Sequence, residues 1–191
     1  VIGGVRIPFC RSNTLYADRS NLDMLSAAIQ ATADRFDLRG TQLGEVAAGA
    51  VISHSKDWNL TREAVLGTTL SPLTPAYSLQ MACGTGLQAA LQIGNKIALG
   101  QIESGIAGGS DTTSDAPVVF SRAFAQRLVK LSTARTLGQK LAAFKGFRPR
   151  ELKPIAPSVG EPRTLKSMGQ HCEMMAKEWG ISRTAQDALA V

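Results

Sequence analysis

The chain is poor in cysteine: its 191 residues hold only Cys10, Cys83 and Cys172, and no CxxC pair. An odd set without pairing argues against a disulfide framework and a cysteine-based zinc site, and for reduced thiols. Long apolar runs are also missing, and none approaches the roughly 20 residues that a membrane-spanning helix needs. Residues 1–9 lack the basic stretch, apolar core and small-residue cleavage site of a secretory signal, although a removed targeting segment stays compatible with the sequence. No GxGxxG fingerprint follows a strand-like run. Acidic residues are scarce between positions 122 and 153. Nine basic residues stand there (Arg122, Arg127, Lys130, Arg135, Lys140, Lys145, Arg148, Arg150, Lys153) against Glu151 alone. That surplus exceeds the net +6 of the whole chain, so basicity belongs to one segment that can meet anionic lipid, nucleic acid or an acidic partner.

What is present is the composition of a soluble globular protein, 44% apolar and 19% charged, long enough for one core or a core with an insertion. Residues 1–5 read as a strand stopped near Pro8. Ser20 or Asn21 can cap a helix carrying Leu22, Leu25, Ile29 and Phe36 at helical spacing. Residues 46–52 form a continuous apolar run, as in a strand buried on both faces. Asn59 then caps a helix through Leu66, ended by Ser71-Pro72. A strand over 76–81, a helix over 84–99 and a strand over 102–108 complete the pattern. Strands separated by single helices imply parallel βαβ units, hence an α/β fold. After Asp111 the pattern changes. Phe120, Phe124, Leu128 and Leu131 share one helical stripe, and Leu137, Leu141 and Phe144 another. Together they predict a basic amphipathic hairpin over about 120–148, whose charged face suits an anionic surface. Pro149, Pro154, Pro157 and Pro162 make an irregular stretch, a helix follows over about 169–179, and 182–187 begins another that the chain does not finish, which predicts an incomplete domain.

Cys83 stands where a strand meets a helix. A helix start offers unpaired N–H groups and the positive end of the helix dipole, which favour a thiolate, and Gly84 and Gly86 leave room for a bulky thioester. A strand-to-helix turn that exposes a nucleophile is the logic of the hydrolase elbow. A buried core cysteine packed as a small hydrophobe fits the same residues.

The blocks Arg6-Ile7-Pro8-Phe9, Asn59-x-x-Arg62-Glu63, Met81-Ala82-Cys83, Ala107-Gly108-Gly109 and Ser114-Asp115-x-Pro117 together resemble the thiolase family. Ser167-Met168-Gly169 and Ser182-Arg183-x-x-Gln186-Asp187 continue the match in order. Within the family they are most similar to the β-subunits of fatty-acid-oxidation trifunctional complexes. The resemblance implies a layered α/β/α/β/α fold of two similar halves, of which this chain holds the N-terminal one: a core domain over 1–111, with a mixed sheet and helices on both faces, then part of an α-rich loop domain over 112–191. It implies thiolytic cleavage of 3-ketoacyl-CoA in fatty-acid β-oxidation, with Cys83 as nucleophile and Met168 lining the acyl pocket. Ser167 departs from the histidine that many thiolases carry there. The resemblance puts the acid–base groups and a second cysteine after Val191. It implies CoA and acyl-CoA as substrates, no permanently bound cofactor or metal, and no nucleic-acid partner. It further implies a homodimer or tetramer, association with the α-subunit of a β-oxidation complex, and a bacterial cytoplasmic location at a membrane surface, or a mitochondrial one after loss of a transit peptide. Arg127, Lys130, Arg135, Lys140 and Lys145 would face that membrane or partner.

Two other readings remain, one an enzyme and one not. A ketoacyl-synthase-type condensing enzyme shares the fold and the cysteine, and a non-catalytic docking module would use only the basic hairpin. His54 follows a strand end, a good place for a site residue in an α/β sheet, but a hydrogen-bonded histidine fits equally. His171 and Cys172 are neighbours on one helix and point apart, which disfavours a metal pair. Gly108-Gly109-Ser110-Asp111 is better explained by close backbone packing than by phosphate binding.

Overall fold

In the computed structural model, which describes residues 1–155 and 158–191, the chain divides into two compact units, Val1–Pro117 and Val118–Val191. Pro157 of the irregular stretch lies outside the described residues. Residues 112–117, expected from the sequence in the second domain, belong to the first unit. Their polar groups are engaged there: Ser114 Oγ accepts from Asn13 N–H at 2.9 Å, and the Asp115 carbonyl meets His54.

The first unit is built on strands β1 (Glu45–Ala48), β2 (Ala76–Ser78) and β3 (Gly105–Ala107), in the order β2-β1-β3. Both ladders are parallel, with Val46 opposite Ala76 and Ile106. The antiparallel member that a mixed sheet would need is absent among the described residues. Helices α1 (Asn21–Arg35), α2 (Leu60–Leu66) and α3 (Thr85–Ala98) cover the sheet. Side chains alternate across a strand, and β1 uses both faces. Val46 and Ala48 pack into one apolar cluster with Leu25, Ile29, Leu60, Ala64 and Val65, from α1 and α2. Ala47 packs into another with Ala89 and Ile93 of α3. Three layers result, with a central strand buried on both sides as its apolar run predicts.

The caps expected at Ser20 and Asn59 are both formed. Ser20 Oγ accepts from Asp23 N–H, and the Asp23 carboxylate accepts from Ser20 N–H, a reciprocal box that starts α1. Hydrogen bonds donated by the Ser20 N–H and hydroxyl hold the Asp23 carboxyl below its ordinary range. Asn59 accepts from Arg62 N–H. Helix α2 runs to Leu66, as expected, with Gly67 as its C-cap.

Residues 1–5 form no strand, and Val1 and Ile2 are exposed. An apolar pentapeptide becomes a strand only against a partner edge, and none of the three strands supplies it one. Strand β1 also stops sooner than its apolar run. Beyond Ala48 the N–H groups of Val51 and Ile52 turn to the Asp111 carboxylate, at 2.5 and 3.0 Å, and leave the ladder.

The second unit holds α4 (Arg122–Thr133), α5 (Leu137–Ala143), a short 3-10 turn (Pro149–Leu152), α6 (Met168–Glu178) and α7 (Arg183–Ala190). Ser121, Thr136, Ser167 and Ser182 cap the four α-helices. Helices α4 and α5 pack on each other, and Phe124, Phe144 and Phe147 gather between them with ring centres about 6 Å apart. No described helix is long and apolar enough to cross a membrane.

Candidate active site

The cysteine turn begins where β2 ends. Two features of α2 place that strand: Asn59 Nδ2 donates to the Ala76 carbonyl at 3.1 Å, and the Arg62 guanidinium holds the carbonyls of Pro72 and Thr74 at 2.7 and 2.8 Å. The Asn59-x-x-Arg62 block is thus a scaffold for the strand that leads to Cys83.

Between β2 and α3 the chain makes a tight reversal. Ala82 adopts φ +44°, a left-handed conformation that costs an L-residue roughly 1–2 kcal/mol. Hydrogen bonds from two side chains offset that cost. Gln80 Oε1 accepts from Ala82 N–H at 2.6 Å, while its Nε2 donates to the Ala50 and Val51 carbonyls, each at 2.8 Å. Thr85 Oγ1 donates to the Ala82 carbonyl at 2.7 Å and accepts from Met81 N–H at 2.9 Å. Neither residue stood out in the sequence. The available signal was a hydroxyl residue at the first position of a helix, where such side chains bond to nearby backbone.

Cys83 follows this reversal and is exposed, which rules out a buried core cysteine. Gly84 caps α3 without a side-chain bond, and the N–H groups of Gly86 and Leu87 have no acceptor among the described residues. A methyl group at Gly86 would meet nothing within 4 Å, so the space above the helix start is open. An exposed thiol just before a helix start with unpaired N–H donors can act as a nucleophile and accept an acyl group.

Gly49 makes the reversal possible from the other side. A Cβ there would lie 2.0 Å from the Leu79 carbonyl oxygen and 2.8 Å from Thr85 Cγ2. Gly109 in turn abuts the Gly49 carbonyl and so serves close backbone packing, whereas a Cβ at Gly108 would meet nothing within 4 Å.

His54 is tied elsewhere. Its Nε2 is hydrogen-bonded to the Asp115 carbonyl and lies 3.4 Å from the Asp115 carboxylate, which also meets Lys56 at 3.6 Å. It shares a cavity of about 320 Å³ with Gln80, Asn21 and Trp58, which Cys83 does not line. No base is hydrogen-bonded to the sulfur among the described residues. His171 bonds to Thr164 Oγ1 at 3.0 Å, and the described residues hold no cluster of metal-ligating side chains.

In the second unit Met168 is the first residue of α6 and more than half exposed. Lys130, Arg135, Lys140 and Lys145 are exposed. Arg127 is not. Its guanidinium binds the Glu151 carboxylate at 2.7 and 3.3 Å and the carbonyls of Ala143 and Lys145 at 3.0 and 2.9 Å, so it cannot also serve an outside partner. Bonding to Arg127 in turn keeps the Glu151 carboxyl below its ordinary range. Periodicity put Arg127 beside the other cations, and the fold of the hairpin turned it inward.

The family profile described as "Thiolase, N-terminal domain" matches residues 1–191. The chain belongs to the thiolase family. Curated relatives include the 3-ketoacyl-CoA thiolases of Shewanella denitrificans and Klebsiella pneumoniae, 40% and 39% identical over 190 residues. Each alignment takes in 100% of this chain and 44% of the relative, so the chain spans less than half the length of the thiolases it matches. Among solved structures, the Bacillus anthracis acetyl-CoA acetyltransferase superposes with a TM-score of 0.69 over 94% of this chain and 41% of that one, at 19% identity. That likeness carries the fold alone. The α/β thiolase-like half expected from the sequence is therefore the fold observed.

Proposed function

We propose that the protein is a 3-ketoacyl-CoA thiolase, an acetyl-CoA C-acyltransferase of fatty-acid β-oxidation, with Cys83 as the acyl carrier. The observation that supports this most is the exposed thiol at the open head of α3, held in a bonded left-handed turn. In the first half-reaction the Cys83 thiolate attacks the 3-keto carbon. The C2–C3 bond breaks, its electron pair passes to C2 as the enolate of acetyl-CoA, and protonation of C2 completes that product. The shortened acyl group remains as a thioester on Cys83. In the second half-reaction the thiolate of free CoA attacks this thioester, and the Cys83 thiolate leaves. CoA and acyl-CoA are the only reactants, in a ping-pong order. Met168 would line the acyl pocket, and the proton-transfer groups would come from outside these 191 residues, as the family resemblance implies. The resemblance also supports a homodimer or tetramer, association with an α-subunit of a β-oxidation complex, and a cytoplasmic setting like that of a bacterial enzyme.

The chemistry is open to a direct test. A 3-ketoacyl-CoA supplied to the natural-length protein without free CoA is expected to leave an acyl group on the Cys83 peptide, visible by mass spectrometry. Added CoA is expected to remove it. An adduct on another residue, or none under turnover conditions, would sink the acyl-cysteine reading.

The hairpin supports a second contact, with an anionic membrane surface. Leu137 and Leu141 share a face of α5 and are about 70% exposed, in the same hairpin as the exposed Lys130, Arg135, Lys140 and Lys145. Near anionic lipid each Lys or Arg contributes about 1 kcal/mol, so four give binding that co-sedimentation detects. Vesicles containing phosphatidylserine are expected to pull the protein down at low salt and release it near 1 M, where the Debye length falls to about 3 Å. Changing those four residues to Glu is expected to abolish the effect. Equal binding to neutral vesicles, or none to anionic ones, would reassign the hairpin to a protein contact.

A further inference from the structure

We infer that Gln80 and Thr85 are positioning residues for Cys83, holding Ala82 in its left-handed conformation so that the thiol stands at the head of α3. The inference rests on the acyl-cysteine reading above.

The geometry separates this role from ordinary packing. The Thr85 hydroxyl spends its donor on the Ala82 carbonyl and accepts Met81 N–H, so its short contacts lie on the two residues that precede Cys83. It is almost wholly buried, and water cannot replace it. Gln80 reaches the same turn from the other side. Its Oε1 takes Ala82 N–H, and its Nε2 anchors the turn to the Ala50 and Val51 carbonyls beyond β1. Both backbone polar groups of Ala82 are thus held by side chains, one from each flank. Alanine leaves the left-handed region when nothing keeps it there. Rotation at Ala82 would swing the following peptide and move Cys83 relative to the start of α3, where the N–H groups of Gly86 and Leu87 are unpaired among the described residues. Such a displacement of about 1 Å can cost about 10²-fold in rate.

The test uses the natural-length protein and the variants Thr85→Val, Thr85→Ser, Gln80→Met and Cys83→Ala. Valine keeps the shape of threonine and loses the hydroxyl, whereas serine keeps the hydroxyl. Thr85→Val is expected to lower kcat for thiolysis about 10- to 100-fold with KM little changed, as loss of alignment predicts. Thr85→Ser is expected to restore most of that loss, and Gln80→Met to reproduce it. Urea unfolding reports whether each variant remains folded, and a cooperative transition is expected throughout. Should Thr85→Val fail to fold, Thr85→Ser and Gln80→Met decide the matter. Wild-type kcat in Gln80→Met or Thr85→Val, with Cys83→Ala inactive, overturns this inference alone. Equal losses in Thr85→Val and Thr85→Ser overturn it too, since the hydroxyl would then be irrelevant. Turnover retained in Cys83→Ala overturns the acyl-cysteine reading, and this inference with it.

Discussion

Cys83→Ala is expected to lower thiolysis by about 10⁴-fold or more, because a covalent route has no substitute for its nucleophile. Stability should barely move. The side chain is exposed and makes no hydrogen bond among the described residues, and substitutions at such sites usually stay within about 0.5 kcal/mol. The two effects should therefore separate cleanly: kcat near background, with an unchanged urea midpoint. Thiol labelling of the wild type gives an independent check. Cys10 is half-buried, while Cys83 and Cys172 are both exposed, so access alone does not favour Cys83 over Cys172. Cys172 lies inside α6, however, whereas Cys83 precedes the open N–H groups of α3. Iodoacetamide is expected to reach Cys83 first. Substantial turnover by Cys83→Ala, or faster labelling of Cys172, would remove Cys83 from the chemistry.

Gly49→Ala is expected to be among the most destabilising single substitutions in the first unit, at about 3 kcal/mol, the upper end of the usual overpacking range. The added carbon would sit 2.0 Å from the Leu79 carbonyl oxygen, which is backbone and cannot rotate away as a side chain does. Leu79 N–H also bonds to the Ala48 carbonyl at 3.0 Å, so pushing this residue off breaks the edge of the sheet. The second clash, with Thr85 Cγ2 at 2.8 Å, falls on the residue that grips Ala82. Activity is therefore expected to fail along with stability. Urea unfolding of the variant measures the first effect and thiolysis the second. A wild-type midpoint would mean that β1 and the cysteine turn do not approach so closely.

Sequence and fold agree best where the governing forces are local. Ser20 and Asn59 were readable as caps because a cap depends on residues two or three positions away. The run at 46–52 announced a strand covered on both faces, and Val46, Ala47 and Ala48 are fully buried. Cys83 was legible through its place between a strand and a helix, and through the blocks that resemble the thiolase family. Arg127 was misplaced because spacing reports a helix face but not which residues a neighbouring helix covers. Residues 1–5 read as a strand from composition, yet a strand also needs an edge to join.

By itself the sequence determined the alternation of strands and helices, the helix starts, the basic segment and the family. Each follows from short-range preference or from a pattern of residue types along the chain. The tertiary structure alone decided that Ala82 is left-handed, that Gln80 and Thr85 hold it there, that Gly49 must lack a side chain, and that Arg127 turns inward to Glu151. Those facts depend on backbone groups brought together by folding, such as Gln80 with Ala50 and Val51, 30 and 29 positions apart. A linear pattern carries no distance between them.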